Sequence, residues 1–225
     1  MDSLARSQIR IDASLTNAPV DIGLVKSLAN PGGNMTGITF EAASETYAKR
    51  LQLLKEIMPS LSRVAVLGAI DDPNFPFAMV SLKKVAPDLK VSISPIEISS
   101  PADLKHAFDE MKRTQIEALL VVSGNLTYLS IRDIADLAFA NGLPSCYGFK
   151  EAVAAGGLVG LGPDLVSLGR QGARLVDKII RGQRPADIPV EQPAQYSMAV
   201  NLKTAKSLGL HVPPSMVAGA DVMIE

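Results

Sequence analysis

The sequence predicts an α/β protein built on a doubly wound parallel sheet. Short apolar runs of strand length recur from Ser62 onward, each is followed by a stretch of helical periodicity, and the connections between them are short. The chain has 225 residues, 47% hydrophobic and 20% charged, a balance that can bury a sizeable core.

Taken in order, Arg63–Ala69 is a mostly apolar run, as expected for a strand covered on both faces. Pro76 to Pro87 reads as a helix, with Met79, Val80, Leu82 and Val85 near helical spacing. Lys90 to Glu97 alternates apolar and polar residues and reads as a strand nearer an edge. Ser99, Ser100, Pro101 and Asp103 carry the signals of a helix start, since a capping serine, an early proline and an acidic residue suit the free N–H groups there. That helix runs to about Thr114, with Leu104, Ala107, Phe108 and Met111 on one face. Glu117–Ser123 is a second buried strand. Leu126 to Ala140 reads as one helix, ended by Asn141-Gly142. A strand over Leu143–Gly148, a short helix over Lys150–Ala155 and a strand over Leu158–Leu161 follow. Leu165 to Arg181 is a longer amphipathic helix, Pro185 to Gln195 a connector, Tyr196 to Val200 a strand and Leu202 to Leu208 a helix. Val212-Pro-Pro214 reads as a stop. The first 40 residues are the least regular, with a turn at Asn30-Pro-Gly-Gly-Asn34.

In a doubly wound sheet the ligand site lies beyond the carboxyl ends of the strands. This nominates residues 68–74, 123–128, 148–151 and 162–164. The chemistry on offer is that of binding rather than catalysis. No Gly-x-Gly-x-x-Gly follows the first strand and no P-loop occurs, so no nucleotide cofactor is expected. No Gly-x-Ser-x-Gly elbow supports a serine nucleophile. His106 and His211 lie far apart and form no metal pair, and His106 reads as a surface residue. The single cysteine, Cys146, excludes an intramolecular disulfide and falls within a strand, where an inert core thiol is expected. Asp71-Asp72 could hold a cation or act as acid and base, but reads rather as a turn in which an Asp caps the helix after Pro73. A net charge of −1 gives no general pull toward nucleic acid or anionic membranes. No apolar run reaches the roughly 18 residues needed to span a bilayer. Residues 1–20 lack the apolar segment of a signal peptide, which predicts either a cytoplasmic protein or a chain that begins downstream of its export signal.

Several segments occur in an order that carries a family resemblance: Pro31-Gly-Gly-Asn-Met-Thr-Gly37, Arg50-Leu-Gln-Leu-Leu-Lys55, Arg63–Leu67, Leu143-Pro-Ser-Cys-Tyr-Gly-Phe149, Gly156-Gly157, Gly162-Pro-Asp164, Val176-Asp-Lys-Ile179, Pro185–Glu191 and Asn201-Leu-Lys-Thr-Ala205. Together, from about Pro19 to the C-terminus, the chain resembles ABC-transporter substrate-binding proteins of the TrpX-like type. The resemblance implies a type I periplasmic-binding fold of two lobes, with the first lobe incomplete here. It implies a remnant of the N-terminal lobe over 1–37, a C-terminal lobe over 38–162, a helix and connector returning to the first lobe over 163–190, and a final crossing over 191–225. Gly37–Phe40, Gly160–Asp164 and Gln192–Val200 resemble the crossings.

The implied function is an extracytoplasmic solute-binding component of an importer, not an enzyme. It would hold a small amino-acid-like or other polar solute between its lobes and deliver it to an ABC permease in the membrane. A sensor domain of the same fold is the alternative, disfavoured because no DNA-binding segment precedes the domain. Carried over by position, the site candidates are Asn125, Tyr128, Tyr147, Phe149, Glu151 and Asp164. Asp164 would pair with a solute ammonium or else cap the helix that follows, and the aromatic residues would offer a surface to a side chain or serve as core. The family usually places an Asp just before Pro-Val in the first lobe, where this chain has Asn17-Ala18-Pro19-Val20, so one solute contact is expected to be missing. With the first lobe incomplete, Leu24, Val25, Leu28 and the helix over 165–181 are expected to expose an apolar seam that a second copy covers.

Overall fold

The computed structural model describes residues 10–12, 19–20, 22–41 and 45–225. The chain divides into two compact units, one formed by 44–162 with 196–225 and the other by 1–43 with 163–195.

The larger unit is organised by a seven-stranded sheet. Its strands are β3 (Arg63–Ala69), β4 (Ser92–Ile98), β5 (Ala118–Val121), β6 (Ser145–Tyr147), β7 (Val159–Pro163), β8 (Tyr196–Asn201) and β9 (Val222–Ile224), in the spatial order β4-β3-β5-β6-β7-β8-β9. β3 pairs in parallel with both β4 and β5, and β5–β6, β6–β7 and β8–β9 are also parallel. Parallel strands need crossovers, and helices supply them on both faces. Helices α1 (Glu45–Ile57) and α2 (Asn74–Val85) cover one face, where Leu51, Leu54, Phe75, Ala78 and Leu82 meet Val64, Val66 and Leu120. Helices α3 (Leu104–Arg113) and α5 (Ile131–Ala140) cover the other, where Phe108, Met111, Ile134 and Ala138 meet Ala65, Leu67, Leu119 and Val121. Successive strand residues point to opposite faces. The apolar run of β3 therefore feeds both cores, and the doubly wound α/β arrangement follows from it.

Two local readings need correction, the single helix over 126–140 and the stop at Pro214. The helix expected over 126–140 is two, α4 (Asn125–Leu129) and α5, joined at Ser130, whose φ of −96° and ψ of 13° interrupt the helical path. Helix α1 carries a buried Thr46 and Arg50 within its inward face, which broke the apolar stripe in the sequence. Pro214 does not stop the fold. It opens helix α9 (Pro214–Ala218), as proline in a first turn can, and the short edge strand β9 follows. The start at Ser99–Asp103 is a 3-10 turn (Pro101–Asp103) leading into α3, in which the Asp103 carboxylate accepts from the Ser99 and Ser100 N–H groups at 2.8 Å. The remaining helices here are α6 (Lys150–Ala154) and α8 (Leu202–Ser207), the latter capped by the Asn201 side chain, which accepts from the Thr204 N–H at 2.9 Å.

The smaller unit contains a two-stranded parallel sheet, β1 (Arg10–Asp12) with β2 (Met35–Gly37), and helix α7 (Leu165–Ile180). Ile38, Leu175 and Ile188 are its buried apolar cluster, with Leu168 and Ile179 packed against them. Thr36 Oγ1 donates to the Ile188 carbonyl at 2.8 Å, and Gln171 ties the connector by donating to the Gln192 carbonyl and accepting from the Ala194 N–H. Val25, expected on an exposed seam, is 6% exposed, whereas Leu24 is 38% exposed. Asn17 and Ala18 lie outside the described residues.

Candidate functional site

In the order β4-β3-β5-β6 the chain reverses direction across the sheet between β3 and β5. The connection after β3 leads to α2 on one face, and that after β5 leads to α4 and α5 on the other. In a doubly wound sheet, two loops that part to opposite faces mark the expected place of a crevice at the carboxyl ends of their strands. The residues at that place are 70–74 and 122–125.

Three polar groups build this crevice. Asn74 Nδ2 donates to the Ser123 carbonyl at 3.0 Å and so ties the two loops together. Thr127 Oγ1 donates to the Val122 carbonyl at 2.7 Å, fixing the first turn of α4 against the end of β5. The Asp72 carboxylate accepts from the Asn74 N–H through Oδ1 at 2.9 Å, as the capping expectation for the Asp pair required. Its Oδ2 lies against the Gly124 backbone, 2.0 Å from where a Cβ at that position would stand. Burial pushes the Asp72 carboxyl above its ordinary range, and the Asn74 N–H opposes this.

One strand further on, the end of β6 is equally crowded. A Cβ at Gly148 would fall 1.9 Å from Ser123 Oγ and 2.9 Å from an Arg50 terminal nitrogen. Arg50 is wholly buried. Its Nε donates to the Leu161 carbonyl at 2.7 Å, and its guanidinium carbon lies 4.7 Å from the Tyr47 ring centroid. A buried cation of this kind fixes strand ends rather than meeting solvent.

The structure separates the residues nominated from sequence. Asn125 is exposed at the start of α4, and Tyr128 is half-buried one turn later. The Tyr128 ring meets Phe149 edge-on, with centroids 4.8 Å apart, which brings the ends of β5 and β6 together as one aromatic corner. Phe149 is itself 4% exposed, so Tyr128 is the accessible half of the pair. Glu151 is partly exposed in the first turn of α6. Tyr147 is placed differently. It is 1% exposed, lies in the cluster under α3 and α5, and packs its ring on Gly157. Burial raises its phenol pKa further, as befits a core residue. Asp164 belongs to the smaller unit and caps α7, its Oδ1 accepting from the Ser167 N–H at 2.8 Å. Sequence reasoning places Asp72 and Ser123 in nominated loops, reads Asp72 chiefly as a turn and helix cap, and gives no site role to Arg50. The strand-end rule had marked the first two loops, and only the packing tells how their side chains are held.

Cys146 is wholly buried and its thiol is pushed up to about 12, chiefly by burial, so it stays protonated and unreactive near neutrality. His106 is exposed. A separate groove of about 320 Å³ runs beside the edge strand β4, lined by Ile70, Glu97, Ser99, Asp103 and His106. Among the described residues no three His, Cys, Asp or Glu side chains are grouped to hold a metal ion, and no helix is long and apolar enough to cross a membrane.

Comparison with known proteins places these features in a family. A tyrosine-binding protein of Clostridioides difficile is 27% identical over 206 residues, 92% of this chain. This chain spans 59% of that relative's length. The solved Streptococcus pneumonia ABC domain in complex with L-Trp superposes with a TM-score of 0.88 at 22% identity, covering 97% of this chain and 74% of that one. A conserved domain protein from Vibrio cholerae gives 0.85 at 24% identity, covering 93% and 70%. The shared fold is the type I periplasmic-binding fold. The profile of ABC transporter substrate binding proteins matches residues 7–224, and the chain belongs to that family of binding proteins.

Proposed function

We propose that the chain is the solute-binding component of an ABC importer, working outside the cytoplasm and handing an amino acid to a membrane permease. The observation that carries this reading is the family match over residues 7–224. The amino-acid class draws on the tyrosine-binding relative and the L-Trp complex, and on the polar crevice beside an aromatic corner in this chain. Asn125 offers an exposed polar contact and the half-buried Tyr128 an aromatic one at the carboxyl edge of the sheet, Phe149 backs Tyr128, and Glu151 stands at the end of the neighbouring strand. Tyr147 supports this surface from within the core. With a buried thiol and no nucleophile motif, the site suits reversible binding and no catalysis.

Thermal unfolding of the chain with each standard amino acid, L-tyrosine and L-tryptophan first, tests the reading. A ligand that binds the folded state alone adds about 2.7 kcal/mol at a hundredfold excess over Kd. No shift with any amino acid, or tight binding of a nucleotide instead, would sink the assignment.

A further inference from the structure

We propose that Asp72 is the specificity-determining carboxylate of the site, pairing with the ammonium group of the solute at the crevice between β3 and β5. The inference rests on the amino-acid reading above and deepens it.

Asp72 sits where the winding of the sheet changes face, the position at which a doubly wound fold opens its crevice. Capping α2 needs one carboxylate oxygen, and Oδ1 fills that role with the Asn74 N–H at 2.9 Å. Oδ2 has no hydrogen-bond partner among the described residues. It rests on Gly124, where any side chain would displace it, so the glycine is what admits the carboxylate to the space above β5. Ser123 Oγ, on the Gly148 side of the end of β5, is buried too, on a residue 2% exposed, and has no partner among the described residues. A partly desolvated carboxylate gains most from an opposite charge that arrives with its own hydrogen bonds, which an ammonium group does. Asp71, its neighbour, is exposed and carries no such constraint.

Calorimetry on the full chain tests this with L-tyrosine, L-tryptophan and their des-amino analogues, 3-(4-hydroxyphenyl)propanoate and 3-(indol-3-yl)propanoate. Wild type should prefer the amino acid to its des-amino analogue. Asp72→Asn, which keeps the capping oxygen, should weaken amino-acid binding about 10- to 150-fold while leaving the analogue's affinity unchanged. Asp72→Ser, which also retains an oxygen for the cap, should behave alike, and a thermal melt checks that both variants fold. Asp71→Asn should change nothing. Equal weakening of amino acid and analogue would reduce Asp72 to a structural cap. Retained discrimination in Asp72→Asn, or its loss in Asp164→Asn instead, would overturn the assignment while sparing the amino-acid reading. A wild-type chain that binds no amino acid would overturn both.

Discussion

The two units of the chain bury apolar residues on very different scales. In the larger one, a sheet covered on both faces sends alternate residues of β3 and β5 into two cores, so Val64, Val66 and Leu120 lie in one and Leu67, Leu119 and Val121 in the other. In the smaller one, the buried cluster is Ile38, Leu175 and Ile188, beside a two-stranded sheet. Two paired strands are marginal by themselves. The difference teaches where rigidity resides: the loops that carry Asp72 and Gly124 stand on the strands with the deepest burial.

The sharpest test of that contrast compares two leucines that are both wholly buried. Leu120→Ala should cost about 2–5 kcal/mol in urea unfolding, because it opens a cavity in a core that cannot collapse. Leu175→Ala should act mainly within its own unit. Its effect should appear as faster amide exchange along α7, with less change in the exchange of β3 and β5. Equal global losses from both variants would mean that the two units unfold as one.

The apolar surface of α7 offers a second test. Val166, Val176 and Ile180 are 56%, 37% and 79% exposed, and the last two stand one helical turn apart. If a second copy covers this face, light scattering will report a dimer, and Ile180→Asp will return it to a monomer. A wild-type monomer at high concentration would show that the small core of this unit suffices.

Glycines separate the units as well. Gly148→Ala forces a methyl group against Ser123 Oγ and Arg50 and should cost about 1–3 kcal/mol. Gly169 lies within α7 with nothing inside 4 Å of an added Cβ, so Gly169→Ala should gain about 0.5–1 kcal/mol from helix propensity. Thermal melts showing the same sign for both would refute the crowding described at the end of β6.

Much of the larger unit was legible because its physics is local and repetitive. Apolar runs such as Arg63–Ala69 give strands, and the serines and aspartate at 99–103 mark a start. What escaped depended on neighbours distant in sequence. Leu126, Leu129, Ile131 and Ile134 continue an apolar pattern through Ser130, so nothing local announces the joint there. Arg50 lies in a segment notable only for its family resemblance, and its buried place depends on the Leu161 carbonyl and the Tyr47 ring around it. The site divides in the same way. The strand-end rule marked whole loops, but Tyr147 and Phe149 lie two residues apart on one strand end, and only packing shows that the first ring rests on Gly157 and the second meets Tyr128.

The smallest expected effect contrasts the two ends of the large sheet. At the amino end, Glu117 accepts from the Ser62 N–H at 2.7 Å and the Arg63 N–H at 3.1 Å, and its other oxygen lies 3.0 Å from the Arg63 guanidinium. The Ser62 N–H is the largest cause holding its carboxyl below the ordinary glutamate value; burial opposes, and Arg63 adds to the lowering. A carboxylate lowered in the folded state contributes stability that is present above its unfolded pKa and lost as pH falls through its folded one. Asp72, at the carboxyl end, is raised and has the opposite sign: stability is lost as pH rises from the ordinary aspartate value through its folded pKa. Glu117→Gln should therefore cost about 0.5–1 kcal/mol near neutrality, at the low end because both partners of the ion pair are part-exposed. That cost should fade below the glutamate range, where wild type is protonated too. Asp72→Asn should instead remove a decline in stability between the ordinary aspartate value and its raised folded pKa. Urea midpoints for wild type and both variants across acidic to neutral pH decide the matter, and parallel curves for all three would show that neither end of the sheet titrates as its surroundings dictate.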